Sequence, residues 1–396
     1  MLNRDIIVVG LQPWDIEIGS NCKNIALEFS KNNRVLYVNR SLDRISNYRQ
    51  RNDKKIQARR ASLKGTTKDI KEEKENLWVL NPRVILESVN WMPRPFFRYF
   101  NKRNNIRIAN AINDAVVRLR FFKPVLFIDN DFFRALYLPE LVSSEFSIYY
   151  IRDYLVDQPY FKKHGATMEK EIISKVNMVT ANSPYLADYA RKFNPNSFYI
   201  GQGCDFSNFH PGIQYNIPAD LKELQGPIIG YVGALVGFRL NIPLLIDIAK
   251  KRPDWNIVLV GPQDSTFQLS ELHQLPNVLF TGAKPPEDLP NYINYFDVCI
   301  NPQLVNQATL GNYPRKIDEY LAMGKPVVAT HTPFMELFKS YVYLCNNSNE
   351  FVLAIEKALQ EENSQIPEER KKFAFSHTWE NSVEEIYKGY ELLTGQ

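Results

Sequence analysis

Short runs of β-branched and apolar residues recur along the whole chain, each followed by a longer stretch with helical spacing. Nothing else in the sequence limits the fold so strongly. A strand can be followed by a parallel neighbour only if the chain crosses back over a sheet face, and a helix is the usual crossover. In the first half the spacing predicts strands at Ile6–Gly10, Val35–Asn39, Leu77–Asn81, Val125–Asp129, Ile148–Arg152 and Met178–Ala181. In the second half it predicts Ile228–Gly233, Ile257–Gly261, Val278–Thr281, Val298–Asn301, Val327–Thr330 and Tyr341–Leu344. No internal repeat interrupts the series, which excludes a solenoid. At 396 residues the chain is long enough for two or three domains. Two doubly wound α/β domains are the simplest account. Their join is expected near Asp205–Pro227, where Pro211, Gly212, Pro218 and Gly226 fall among few apolar residues.

Open parallel sheets bind ligands at the carboxyl ends of their strands. Three strands of the second half end on glycines, Gly233, Gly261 and Gly282. After the first of them, Gly233 to Phe238 leads to Arg239 and a helix starting at Asn241, an arrangement in which backbone N–H groups can cradle phosphate. The stretch Asn312-Tyr313-Pro314-Arg315-Lys316-Ile317-Asp318-Glu319-Tyr320-Leu321-Ala322-Met323-Gly324-Lys325-Pro326-Val327-Val328-Ala329-Thr330 is more pointed. Pro314 suits a first helical turn, Gly324 suits a helix end, and Val327–Thr330 reads as a buried strand. Lys316 and Glu319 share one helix face. One reading of the pair is a cation for a diphosphate and an acceptor for ribose hydroxyls; the other is a salt bridge on a solvated helix.

The run Pro-x-Lys-x-x-Glu-Tyr-Leu-Ala-x-Gly-Lys-Pro-Val-Val resembles the donor-site motif of the GT-B glycosyltransferases of the retaining "group 1" superfamily. The resemblance implies two Rossmann-like domains facing a cleft. It also implies a nucleotide-sugar donor whose phosphates meet Lys316 and whose ribose meets Glu319. Family members carry an Arg after the second glycine of the phosphate loop, where this chain has Ala234, and Arg239 falls near the place of a family lysine. They often carry a second acid eight positions before the ribose glutamate, where this chain has Gly311. The donor set expected from resemblance and spacing together is Gly19, Gly233, Arg239, Gly261, Gly282, Asn312, Lys316 and Glu319, with Asn306 and Thr309 as further partners for sugar hydroxyls. The domains would be 1–208 for the acceptor and 209–375 for the donor, with 376–396 crossing back to the first and Trp379 as its anchor.

In the first half, polar residues at strand tips are the acceptor-side candidates: Asp15, Asp129, Asp131 and Arg152, the last as a phosphate contact. Asp153 is the candidate base or acceptor-orienting group, and with Arg239 and Lys316 it completes the expected catalytic set. Asp129-Asn130-Asp131 spells Asp-x-Asp, but it stands in the acceptor half and no metal is expected there. Ser20 and Ser183 are placed to cap helices. No cofactor is expected beyond the donor itself.

Net charge is only +4, which gives no ground for a nucleic-acid partner. Its distribution is uneven. Arg49–Asn76 is charged and poor in apolar residues, and reads as a mobile solvated insertion rather than a binding surface. Arg94–Lys123 carries eight basic residues and one acid, with Phe96, Phe97, Tyr99 and Phe100 at its start. That pattern fits peripheral contact with an anionic membrane; it equally fits a helix packed on its own sheet. The cysteines Cys22, Cys204, Cys299 and Cys345 are widely spaced, as in a reducing compartment. The amino terminus runs straight into a strand without a secretory pattern, and no apolar run reaches the about 20 residues of a membrane span. These features fit a cytoplasmic protein; the resemblance adds the expectation of a place at the inner face of a membrane and of transfer of a sugar onto a hydroxyl of a glycan or its lipid-linked precursor in bacterial cell-surface polysaccharide synthesis. A catalytically silent domain of the same fold and a nucleotide-sugar epimerase remain open as alternatives. A dehydrogenase is disfavoured, because Gly230-x-x-Gly233 lacks the full dinucleotide pattern.

Overall fold

The computed structural model describes residues 1–15, 20–50, 52–157, 159–209, 213–306, 309 and 313–395, with the side chains of 157 and 159 left out. The chain forms two compact units, one of Met1–Gly203 with Trp379–Gln396 and one of Cys204–Thr378.

In the first unit the strands are β1 (Asp5–Gly10), β2 (Arg34–Val38), β3 (Leu42–Asp43), β4 (Ile70–Lys74), β5 (Leu77–Leu80), β6 (Ile85–Leu86), β7 (Val125–Asp129), β8 (Phe146–Ile151), β9 (Met178–Ala181) and β10 (Ser197–Tyr199). Eight of them form one sheet in the order β10-β9-β8-β7-β1-β2-β5-β4, and β3 pairs with β6. Every neighbour in the large sheet is parallel except β4 on β5. Side chains of successive residues go to opposite faces. Ile7, Val9, Leu36, Leu126, Ile128 and Tyr149 therefore meet the helices Arg94–Arg118 and Gly165–Lys175. Ile6, Val8, Tyr37, Phe127 and Tyr150 meet the helices Asn21–Phe29 and Trp379–Thr394 on the other side. Both faces being covered, these strands read as unbroken apolar runs. The returning C-terminal helix is seated by Trp379, whose ring lies where a Cβ on Gly203 would be, 2.2 Å away.

The second unit holds β11 (Ile228–Val232), β12 (Asn256–Val260), β13 (Val278–Gly282), β14 (Val298–Asn301), β15 (Val327–Thr330) and β16 (Tyr343–Cys345). They form a six-stranded sheet in the order β13-β12-β11-β14-β15-β16, parallel throughout. Val232, Val258, Val260 and Val327 face the helix Lys316–Ala322. Ile229, Tyr231, Ile257, Leu259 and Ile300 face the helices Ile242–Lys251 and Ser348–Leu359.

Three sequence expectations need correction. The stretch Asp205–Pro227 belongs to the second unit rather than forming a linker: Phe209 and Leu221 are buried in that unit's core, and the break falls at Gly203/Cys204, at the edge of the expected join. Both chain crossings lie side by side, since Cys204 N–H donates to His377 O at 2.9 Å. The charged stretch after Arg49 is also structured. It contains the helix Lys54–Leu63, capped by Asp53, and β4, which takes the antiparallel edge of the sheet. An edge strand is held by backbone hydrogen bonds and can expose charged side chains on both faces, so composition alone hides it. Lastly, the helix expected from Pro314 starts at Lys316, with Arg315 at its N-cap. At seven residues its dipole is small, and the charge at this end is mainly that of Lys316.

The helix Arg94–Arg118 packs on its own sheet through Phe97, Ile108 and Ile112, while Phe96 and Tyr99 stay exposed. Among the described residues no helix is long and apolar enough to cross a membrane.

Candidate functional site

The carboxyl ends of β11, β12 and β13 in the second unit are joined through glycine backbone. Gly233 N–H donates to Val260 O and Gly261 N–H to Gly282 O, each at 2.9 Å. Gly261 has φ +150°, and a Cβ there would lie 2.0 Å from the carbonyl oxygen of Gly233. Only glycine lets the two strand tips approach this closely. The loop after Gly233 is held from several sides: Leu235 N–H donates to Pro262 O at 2.8 Å and Gly237 N–H to Asp264 Oδ2 at 2.9 Å. Asn241 caps the helix that follows by accepting from Leu244 N–H. Arg239 is exposed beside this loop and, among the described residues, its guanidinium has no partner.

Lys316 reaches the same place from a remote part of the sequence. Its ammonium hydrogen-bonds the Tyr231 hydroxyl and lies 4.1 Å from the centre of the Tyr231 ring. A Cβ on Gly233 would lie 2.8 Å from Nζ. The ammonium is thus seated at the tip of β11, with one of its three donors used by Tyr231 and two left for a ligand. No ion pair joins Lys316 to Glu319 among the described residues, so the salt-bridge reading of their spacing does not hold.

The short helix that carries both residues is gripped along its length. Ile317 and Leu321 are fully buried in the core. The Tyr320 hydroxyl accepts from Val232 N–H at 2.8 Å, tying the helix to the end of β11. Asp318, fully buried, lies 2.7 Å from His377 Nδ1 and accepts from Cys204 Sγ at 3.3 Å. Glu319 is half-buried and has no side-chain partner among the described residues. Burial pushes its carboxyl up, against the opposing pull of Arg315 and Lys316. A cation and an unpaired acceptor, both on one held helix at glycine strand tips, can bind a phosphate and a pair of hydroxyls at once.

The other donor-side expectations fall differently. Gly282 has φ +73° and open space around it. Asn306 and Thr309 are spent on loop structure: Asn306 Nδ2 donates to Phe238 O at 2.9 Å, and the Thr309 hydroxyl to Leu304 O. Gly19, Gly311 and Asn312 lie outside the described residues.

In the first unit the strand-tip acids are paired. Arg152 Nε donates to Asp129 Oδ1 at 2.9 Å and Nη1 to Asp153 Oδ2 at 3.0 Å. Burial alone would lower the Arg152 pKa, but Asp129 and Asp153 outweigh it and raise it, so the guanidinium stays charged. The spacing assigns Arg152 to a phosphate; here it is taken up by two carboxylates. Asp131 Oδ2 lies 2.6 Å from Arg134 Nε, and Asp15 Oδ1 lies 2.6 Å from Arg59 Nη2. Asp129 and Asp131 are 0% and 2% exposed, so a ligand would meet them only through Arg152 and Arg134. Among the described residues no group of three or more His, Cys, Asp or Glu side chains is placed to hold a metal. Ser20 and Ser183 cap helices, accepting from Lys23 N–H and Leu186 N–H.

Sequence reasoning missed Tyr231, whose only local signal is an aromatic between two glycines, and Arg315. It also missed a cavity of about 660 Å³ in the first unit, lined by Arg40, Trp91, Phe133, Arg134, Tyr160 and others. No motif marks it, because its walls come from segments distant in sequence.

Residues 226–361 match the family model described as "Glycosyl transferases group 1". The chain is 29% identical over 233 residues to the putative teichuronic acid biosynthesis glycosyltransferase TuaH of Bacillus subtilis strain 168, covering 56% of this chain and 58% of that relative. In fold it is similar over 99% of its length to sucrose-phosphate synthase from Thermosynechococcus elongatus, which is 100% covered, at TM-score 0.68 and 15% identity. It is similar over 98% of its length to Anabaena Alr3699/HepE in complex with UDP and glucose, also 100% covered, at TM-score 0.63 and 16% identity. At such identities these structures establish the fold, which is that of the GT-B glycosyltransferases.

Proposed function

We propose that this protein is a glycosyltransferase that moves a sugar from a nucleoside-diphosphate donor to a hydroxyl acceptor. The observation that carries the reading is the seat of the Lys316 ammonium at Gly233, on the same short helix as the unpaired Glu319. The family match over 226–361 supports it, and the UDP in the HepE complex makes UDP the first nucleotide to try. In the transfer, the acceptor oxygen bonds to the anomeric carbon and gives its proton to Asp153 as base, while the bond from that carbon to the diphosphate oxygen breaks and its electron pair leaves with the diphosphate. Lys316 and Arg239 neutralise the charge that collects on the leaving diphosphate. Two such cations remove the need for a metal. Asp153 serves on the acceptor side, anomeric configuration is retained, and the product belongs to a cell-surface polysaccharide; the Bacillus relative is named for teichuronic acid biosynthesis. Phe96 and Tyr99, exposed beside Lys102 and Arg103, are the side chains through which the protein would rest on the inner face of a membrane. The test is incubation of purified protein with UDP-, GDP- and ADP-sugars and glycan acceptors, reading nucleotide release and transferred sugar. Donor converted without acceptor to an epimer, or no turnover of any of them, sinks the proposal.

Glu319 supplies a pH signature. Its carboxyl is raised above the ordinary 4.5, so the ligand-free protein holds the proton longer than a free glutamate. Ribose hydroxyls bind the ionised form. UDP affinity should therefore rise as pH increases through the elevated pKa, then level off. Glu319→Gln cannot titrate, and should bind roughly tenfold more weakly at pH 8 with that rise missing. Calorimetric titration of both proteins from pH 5 to 8 checks this; subtracting the variant's profile removes the titration of UDP itself. Parallel profiles would detach Glu319 from the ribose.

A further inference from the structure

The cavity of the first unit lies where β1, β2 and β7 end: Leu11–Pro13 follow the first, Arg40 the second and Asp131–Arg134 the third. These are three adjacent parallel strands, and this is the edge at which such sheets take ligands. Its volume of about 660 Å³ falls within the roughly 300–1,000 Å³ usual for small-molecule sites. One wall is aromatic. Phe133, Tyr160 and Phe161 touch one another, with Tyr160 and Phe161 ring centres 5.0 Å apart, and Trp91 is 68% exposed. Asn90 Nδ2 donates to Tyr160 O at 2.6 Å, which ties the Trp91 loop to the Tyr160 segment.

Three carboxylates and two guanidiniums line this cavity. Its three carboxylates are engaged. Asp43 accepts from Ser46 N–H and the Ser88 hydroxyl, Glu87 from Arg44 and Arg107, and Asp131 is paired with Arg134. Arg134 also donates to Leu11 O at 3.3 Å. Arg40, among the described residues, has no side-chain partner. Its strongest electrostatic neighbour is the like-charged Arg134, which pushes its pKa down. Arg40 and Arg134 line the cavity together with Asp43 and Asp131, both of which act on Arg40, but only Arg134 is ion-paired; the Arg40 guanidinium is left for an anion, and the aromatic wall beside it suits the apolar face of a sugar ring.

We propose that this cavity is the acceptor subsite and that it selects a sugar unit bearing an anionic group, carboxylate or phosphate, held by Arg40 and Arg134 with its ring against Trp91 and Tyr160. That the sugar is an acceptor rests on the glycosyl-transfer reading; the anion preference of the cavity does not.

Saturation-transfer NMR on the full chain tests it with three probes of like size: glucose, glucuronate and glucose 1-phosphate. Transfer to the ring protons of at least one anion, with none to glucose at equal concentration, is expected. A response to glucuronate alone assigns a carboxylate, and one to glucose 1-phosphate alone assigns a phosphate. Arg40→Gln should weaken the bound anion about tenfold or more, Arg40→Lys less, and Trp91→Ala should weaken it with the charge intact. Glucose bound as well as the anions, binding unchanged in Arg40→Gln, or no probe bound would overturn the proposal. A UDP titration of the same samples reads the second unit separately. Anion binding without UDP binding would leave the cavity's selectivity standing and remove the transferase reading beneath it.

Discussion

Lys316→Ala is expected to bind UDP roughly 10- to 100-fold more weakly than the parent and to lose at least as much in kcat/KM, with its melting temperature nearly unchanged. A charge-assisted hydrogen bond contributes about 1.5–3 kcal/mol, which converts to that range. The ammonium sits on the Tyr231 hydroxyl and ring at the tip of β11, and the side chain is only half-buried. Removing it therefore takes away a ligand contact and little packing. The loss should shrink as salt is added, because part of it is charge. Tyr231→Phe separates the roles of the two residues: it keeps the ring beneath the ammonium and removes only the hydroxyl that holds Nζ, so its effect should be smaller. Calorimetric titration with UDP and steady-state kinetics on a working donor give both numbers. Unchanged affinity together with unchanged turnover would remove the donor assignment from this helix.

Gly261→Ala should do more damage to the whole second unit. Its φ of +150° is open to few residues other than glycine, and the added methyl would lie 2.0 Å from the Gly233 carbonyl oxygen. Backbone strain of this kind costs about 1–3 kcal/mol, and the collision has no flexible side chain to absorb it. The tips of β11 and β12 must part, which moves Gly233 away from Lys316 and spoils the phosphate seat. A fall in melting temperature of roughly 5–10 °C and loss of measurable UDP binding are expected. Gly282→Ala is the control. It too stands at a strand tip with positive φ, +73°, but nothing lies within 4 Å of its Cβ. It should cost only about 1–2 kcal/mol of conformational strain and keep its ligand. Equal behaviour of the two variants would mean that the close approach of the strand tips is unimportant.

Local pattern carried much of the fold because most strands are buried on both faces and most helices on one. Ile6–Val9, Val125–Ile128 and Val327–Ala329 are apolar throughout for that reason, and the structure places strands at each. The edge strand Ile70–Lys74 had no such mark, since its side chains face water and only its backbone is paired. Helix caps at Ser20 and Ser183 were legible, being contacts over three residues. The donor motif was legible as well, as a cation and an acid on one helical turn.

The sequence by itself determined that the chain alternates strand and helix, that glycines end the strands β11, β12 and β13, and that Lys316 and Glu319 share a face. All of these are set by interactions within a few residues. Only the tertiary structure decided that Lys316 lies on Tyr231 rather than on Glu319, that Arg152 is consumed by Asp129 and Asp153, and that Arg40 and Arg134 line one aromatic cavity. Apart from the adjacent Asp153, those partners stand between about 20 and nearly 100 positions apart, brought together by the parallel crossovers. Periodicity reports which way a side chain points from its own element; what it meets there depends on elements that local spacing does not encode.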